Sequence, residues 1–168
     1  MSTIGLRPFL AADAARCLSI FAASITELAI EDYSEEQCEA WVAAGAGDPK
    51  AFAKRLTDSL TLVATVDGES AGFASLKGAD VVDMLYVDPE FARRGVATAL
   101  LDALAKIAAA RGAARLTADA SDTAKPLFER QGYVAERRNL VTLGDEGLAN
   151  TTMSKKLGAG APTASLRH

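Results

Sequence analysis

Twelve consecutive residues, Val87-Asp88-Pro89-Glu90-Phe91-Ala92-Arg93-Arg94-Gly95-Val96-Ala97-Thr98, join an apolar run to the clearest helical pattern in the chain. A helix N-terminus presents unpaired N–H groups and the positive end of its dipole, so a loop entering one favours anionic ligands. Gly95 and the small Ala97 let a ligand come close to the backbone, Arg93 and Arg94 add positive charge, and Thr98 adds a hydroxyl. Together these groups can cradle a pyrophosphate. The same residues are also compatible with an ordinary strand-to-helix loop whose arginines lie in solvent. The loop lacks the Gly-Lys-Ser/Thr of nucleoside triphosphatases and the Gly-x-Gly-x-x-Gly of dinucleotide-binding folds, so neither of those readings is supported.

A second candidate is Asp83, a carboxylate inside the apolar run Val81 to Val87. Its alternation is that of Val81, Leu85 and Val87. It could accept a proton, directly or through water, or bind a cationic group; the alternative is a satisfied polar residue near the strand entry. Tyr86, of opposite alternation, reads as core. Cys17 and Cys38 fall on helical segments and read as inert small hydrophobes, because the one histidine, His168, is the last residue and cannot activate them.

Composition narrows the chemistry further. One histidine and two cysteines cannot build a His₂ or His₃ metal centre, a Cys₄ zinc site, a disulfide scaffold or a Ser-His-Asp triad. A net charge of −4 argues against a phosphate-backbone binder, so no nucleic-acid partner is expected. No apolar stretch is long enough to span a bilayer, so no membrane partner is expected, and the first ten residues lack the apolar region of a signal peptide. A cytoplasmic protein with reduced thiols is expected.

The elements that must hold these residues can be traced along the chain. Thr3 to Pro8 alternates as a first strand. Leu18, Phe21, Ile25 and Leu28 recur at helical spacing over Asp13 to Ile30. Ser34 and Gln37 form a capping-box pattern for a helix to Ala44, and Asp48-Pro49 opens a third helix to Asp58. Asp67-Gly68 between Leu60–Val66 and Glu69–Leu76 predicts a tight hairpin, and Val81 to Val87 a further strand. A long helix to Arg111, a strand over 115–120, a short helix over 123–130, and strands over 133–143 and 151–157 follow. The expectation is a single α/β (α+β) domain over 1–157, with helices on both faces of a mixed, mostly antiparallel sheet of six or seven strands. Residues 158–168 read as an uncompacted tail.

The stretch Leu85-Tyr86-Val87-Asp88-Pro89 followed by Arg93-Arg94-Gly95-Val96-Ala97-Thr98-Ala99-Leu100-Leu101 resembles motif A of the GNAT superfamily of N-acetyltransferases. Ala124-Lys125-Pro126-Leu127-Phe128-Glu129-Arg130-Gln131-Gly132-Tyr133 resembles its motif B, and the element order from Leu60 to Leu157 is similar to the superfamily's. The resemblance implies acetyl-CoA as cosubstrate; the histidine and cysteine counts already lead to the expectation of no metal. It implies that the main chain of Leu85, Tyr86 and Val87 pairs with the pantetheine, and that the amides of Arg93, Arg94, Gly95, Val96, Ala97 and Thr98 hold the pyrophosphate. It also implies direct transfer of the acetyl group to a primary amine, of a small molecule or a peptide, within a ternary complex. Such transfer needs a proton acceptor for the amine, a role for which Asp83 is the candidate.

Two positions depart from the pattern. Ala92 stands where motif A usually carries Gln or Arg, and Phe128 stands where many members carry a tyrosine that protonates the coenzyme A sulfur. Phenylalanine cannot donate a proton; Phe128 is retained as a pantetheine-packing residue only. This departure leaves a competing reading, a non-catalytic acyl-CoA binding or sensor module, and a third, transfer of a longer acyl chain. Glu27, Glu31, Asp32 and Tyr33 lie where the first two helices meet, which in this superfamily covers the acceptor; Glu27 and Tyr33 are the candidate acceptor-binding residues. Trp41 reads as helix packing or acceptor-pocket lining. Tyr133 reads as packing. Arg137 and Arg138 read as a solvated sheet edge or, given the resemblance, as binders of the coenzyme's 3′-phosphate, and an unpaired edge is compatible with a homodimer.

Overall fold

The computed structural model describes residues 3–158. Seven strands form one sheet in the spatial order β1-β2-β3-β4-β5-β7-β6: β1 (Ile4–Pro8), β2 (Leu60–Val66), β3 (Glu69–Lys77), β4 (Val81–Val87), β5 (Arg115–Ser121), β6 (Val134–Leu143) and β7 (Glu146–Lys156). All neighbours are antiparallel except β4 and β5, whose connection is the long helix α4 (Val96–Ala110). A crossover of that length is what a parallel pair requires.

Local signals account for most of the elements. In α2 (Glu35–Ala46) the Ser34 hydroxyl accepts from the Gln37 N–H at 3.1 Å while the Gln37 side chain accepts from the Ser34 N–H at 2.8 Å. Asp48 caps α3 (Pro49–Asp58), with proline at its first position. Asp67 and Gly68 both take positive φ, as the two-residue turn between β2 and β3 demands.

The sheet separates two apolar cores. On one face α1 (Ala14–Glu27), α2 and α3 bury Ile20, Phe21, Phe52 and Leu56 against Val63, Phe73 and Met84. On the other, α4 and α5 (Lys125–Arg130) bury Leu100, Leu104 and Phe128 against Ala74, Leu76, Val82 and Leu116. Burial pushes the Cys17 thiol up to about 12 and raises that of Cys38, so both stay protonated within the first core.

Two boundaries and the face of one residue differ from the sequence reading. The helix expected to reach Ile30 ends at Glu27, and the chain tightens into a single 3₁₀ turn, Ala29–Glu31. The last strand begins at Glu146 rather than Thr151. Its first half lacks a clean apolar alternation, because Asn150 faces a cleft rather than a core. The third difference concerns Asp83. The register of β3 against β4 slips between Ser75 and Leu76, passing from Leu76↔Val82 to Ser75↔Met84. Asp83 is the extra residue of this bulge. It does not share a face with Leu85 and Val87, which pack toward α4; it turns to the α3 side, where Arg55 meets it. The 158–168 tail expectation lies outside the described residues except for Gly158.

Candidate active site

The β4–β5 ladder contains only Val81↔Thr117 and Val82↔Ala118, so the two strands part immediately afterwards. From Asp83 to Val87 the edge of β4 that faces β5 has no partner strand. Two clefts open on either side of this gap.

The first, of about 600 Å³, lies over the loop before α4 and is lined by Val87, Arg93, Gly95, Val96, Ala97 and Thr98 among others. Its floor is prepared by local geometry. The Asp88 carboxylate accepts from the Glu90 N–H at 2.9 Å and caps the 3₁₀ turn Pro89–Phe91. Arg16 of α1 donates to the same carboxylate at 2.7 Å and to the Ser70 carbonyl, which fixes the start of the loop to the sheet. Arg93 at φ +62 and Gly95 at φ +86 then reverse the chain so that α4 begins with its N–H groups toward the cleft. Gly72, on β3, permits α4 to sit this low: a Cβ there would lie 2.9 Å from the Tyr86 carbonyl and 3.1 Å from Val96. The Arg94 guanidinium stacks over Phe91 at 5.3 Å. Free amides, a glycine without Cβ and nearby cations fit a pyrophosphate, and the unpartnered β4 edge fits an extended amide-bearing chain. The residues present therefore suit coenzyme A.

The second cleft, of about 690 Å³, lies on the α1–α3 face. Its floor is the polar side of β5, β7 and β6: Thr117, Asp119 and Ser121 alternate with the buried Leu116, Ala118 and Ala120. Trp41, Leu85, Tyr86, Ser121 and Ala124 line both clefts, so the two meet at the β4–β5 gap. A strap closes over the meeting point. The Tyr33 hydroxyl donates to the Ala149 carbonyl at 2.6 Å and accepts from the Asp122 N–H at 2.9 Å, while Thr123 donates to Asp32 at 2.9 Å.

Charges in the second cleft are arranged in pairs with one exception on each side. Asp83 accepts from Arg55 at 2.8 and 3.1 Å. This hydrogen bond raises the Arg55 pKa above its ordinary value. Glu136 pairs with Arg115 at 2.6 Å. Asp119 and Arg137 face the cleft without an ion pair. Tyr86 is half-buried against Phe21, Trp41 and Phe73, and desolvation pushes its hydroxyl up to about 12, with the Trp41 hydrogen bond pulling the other way.

The residues singled out in sequence distribute as follows. Leu85, Tyr86, Val87 and Arg93, Gly95 to Thr98 surround the first cleft, and Tyr86, read as core, reaches both. Phe128 lines the second cleft and meets Tyr133 edge-to-face at 4.9 Å. Tyr33 lines the second cleft, but both hydrogen bonds of its hydroxyl are spent on the strap. Glu31 and Asp32 face the first cleft, and Glu27 is exposed and lines neither. Arg138 pairs with Asp122, whereas Arg137 faces the second cleft. The sequence reading singled out neither Arg55 nor Asp119. Asp119 could have been found from the polar alternation Thr117, Asp119, Ser121 in a central strand. Arg55 could not, since its role depends on the bulge. Among the described residues no three His, Cys, Asp or Glu side chains gather to hold a metal ion, and no helix is long and apolar enough to cross a membrane.

Known proteins share this arrangement. Residues 29–157 match the acetyltransferase (GNAT) domain family. An Escherichia coli (strain K12) protein named "uncharacterized N-acetyltransferase YafP" is 35% identical over 156 residues, covering 93% of this chain and 98% of its own. The crystal structure of a GCN5-related N-acetyltransferase from Rhodopseudomonas palustris superposes with a TM-score of 0.90 at 57% identity, over 94% of this chain and 98% of that one. The PaiA N-acetyltransferase of Thermoplasma acidophilum, solved in complex with coenzyme A, shares the fold at 21% identity and a TM-score of 0.75, over 92% of this chain and 99% of that one. The parted β4 and β5, the amide-lined loop and these matches agree, and the chain belongs to the GNAT family of acetyltransferases.

Proposed function

We propose that the protein transfers the acetyl group of acetyl-CoA directly to a primary amine, with both substrates bound at once. The observation that carries this reading is the meeting of two separately opening clefts at Leu85, Tyr86, Trp41, Ser121 and Ala124. One cleft suits the coenzyme, the other is left for the acceptor, and the reacting atoms need only a short common passage.

Bound acetyl-CoA supplies a thioester whose carbonyl carbon forms the new C–N bond as the C–S bond breaks. An ammonium acceptor loses one proton to become nucleophilic and a second after attack, one of which the departing thiolate retains and one of which leaves to solvent. In this reading the amides of Arg93 to Thr98 and the Arg93 and Arg94 side chains hold the pyrophosphate, and the main chain of Leu85 to Val87 aligns the pantetheine. Asp83 accepts the amine proton, directly or through water, its charge balanced by Arg55. Phe128 packs beside the pantetheine end and takes no part in proton transfer. Tyr33 belongs to the acceptor side as part of the strap that shapes the cleft, whereas Glu27, which lines neither cleft, has no part in this reading.

The test is thiol release from acetyl-CoA with a panel of primary amines, with Arg94→Glu as control. Amine-dependent release that the variant loses supports the reading. Calorimetric binding of acetyl-CoA with no release on any amine would leave a coenzyme-binding module instead.

A further inference from the structure

Three strands bring Arg137, Thr152 and Asp119 of the second cleft, with the neighbouring Asn139, into a single hydrogen-bonded line. Arg137 of β6 stands opposite Thr152 of β7, and Thr152 stands opposite Asp119 of β5, so the three form one cross-strand row. The Arg137 Nε donates to the Asn139 Oδ1 at 3.2 Å. The Asn139 Nδ2 donates to the Thr152 Oγ1 at 2.8 Å, and that hydroxyl donates to the Asp119 Oδ1 at 2.6 Å. Donors point the same way at every link, from the cation to the carboxylate.

This line holds the two side chains in place without joining them. Thr152 separates them, so they stand two strand spacings apart, about 9.6 Å between β5 and β6 backbones. The Asp119 Oδ2 and both Arg137 Nη groups have no hydrogen bond or ion pair among the described residues. The other cleft carboxylates are already neutralised, Asp83 by Arg55 and Glu136 by Arg115. The cleft therefore keeps one negative and one positive charge outside any ion pair, held two strand spacings apart in one row.

Their order relative to the reaction centre matters. Asp119 directly follows Ala118, the last β5 residue paired with β4, and lies two residues before Ser121, which lines the junction of the clefts. That is about 7 Å along the strand. Arg137 lies two strands further out.

The geometry points to a small acceptor that carries an amine and a carboxylate on one molecule: the ammonium docks on Asp119, beside the acetyl donor, and the carboxylate docks on Arg137. This rests on the acetyl-transfer reading above and names its substrate class. A simple monoamine or diamine would leave Arg137 unpaired or face it with a like charge, and a plain carboxylate would have no nucleophile to offer.

The experiment compares matched pairs: glycine, β-alanine, 4-aminobutyrate, 6-aminohexanoate and the common amino acids, each against its carboxamide. Acetylation is read as kcat/KM, and binding by calorimetry with coenzyme A present. The expected result is that at least one amino acid exceeds its amide by on the order of ten- to hundredfold, the worth of a charge-assisted hydrogen-bonded contact. Arg137→Gln should abolish that preference while leaving coenzyme A binding intact, and Asp119→Asn should raise KM for the acid and its amide alike. Equal use of acids and amides, or a preference that survives Arg137→Gln, overturns the inference while leaving acetyl transfer standing. If no amine turns over, calorimetry decides separately: an amino acid that binds wild-type protein and not Arg137→Gln supports the inference, and its failure to bind overturns it.

Discussion

Arg55 and Asp83 form a two-pronged ion pair, 2.8 and 3.1 Å, between helix α3 and the bulge in β4. Without the bulge, Asp83 would point to the α4 face and no helix on the α3 side could reach it. The pair thus presents a charge-balanced carboxylate to the acceptor-side cleft at the point where β4 and β5 part. Asp83→Asn should lower kcat about 100-fold, the ordinary worth of a positioned general base, with little change in acetyl-CoA affinity. Steady-state rates on the best acceptor at saturating acetyl-CoA check this, and an unchanged kcat removes Asp83 from proton transfer.

The amide-lined loop should be sensitive to backbone changes at Gly95. A Cβ there meets only Ile4, at 3.7 Å, so the cost of Gly95→Ala lies in holding φ +86 with a side chain, about 1 kcal/mol. Coenzyme affinity should fall more than stability, because the strained φ displaces the loop amides that line the first cleft. Arg94→Glu should do the same by charge. Acetyl-CoA at 100 Kd should stabilise the wild type by about 2.7 kcal/mol. A thermal-shift series at fixed ligand should show that gain shrinking in both variants.

Tyr33→Phe tests the strap. The hydroxyl joins the α1–α2 connection to both β7 and the start of the β5–α5 turn. Its removal strands the Ala149 carbonyl and the Asp122 N–H, at a cost of about 2 kcal/mol, or roughly 4 to 8 °C in Tm. Acceptor KM should rise as the cleft loosens. A variant with wild-type Tm and KM would show that the strap contributes nothing.

Acid should weaken the Arg7–Asp13 pair. Asp13 accepts from Arg7 twice at 2.8 Å and from the Leu10 N–H, and the Arg7 hydrogen bond is the largest cause of its lowered pKa. A carboxylate lowered in the folded state stabilises above its unfolded pKa, near 4, and loses that stabilisation as pH falls through the folded value. Asp13→Asn should therefore cost about 1 kcal/mol at pH 7, allowing for the exposure of Arg7, and almost nothing near pH 2. Urea denaturation at the two pH values measures the difference; an equal loss at both would contradict it.

The three tyrosines should titrate late. Burial raises the hydroxyls of Tyr86 and Tyr133 to about 12 and lifts that of Tyr33 as well. A phenol raised in the folded state stabilises below its unfolded pKa, near 10, and that stabilisation is lost as pH rises further. Phenolate absorbance of the folded protein should thus rise later than that of the unfolded chain, most of all for Tyr86 and Tyr133. An independent phenolate step below pH 10 in the folded protein would contradict this.

Much of this protein is local and so was legible along the chain. The capping box at Ser34 and Gln37, the Asp67-Gly68 turn, proline at the start of α3 and the apolar period of α4 each act within four or five residues. The loop from Val87 to Thr98 is equally local: its chemistry comes from one helix start and the glycine before it. By contrast, the acceptor side depends on register. A slip between Ser75 and Leu76 turned Asp83 to the other face, where Arg55, 28 residues away in sequence, could pair with it. Glu27, marked by its position near a helix junction, points outward, while Asp119, Thr152 and Arg137 fall into one row only because β7 inserts between β5 and β6. Sequence alone determined the elements and the anion-binding loop, because capping, turn chemistry and periodicity are short-range. Tertiary structure decided which charges cancel and which stay free in the cleft, because strand order and a single bulge set those neighbours.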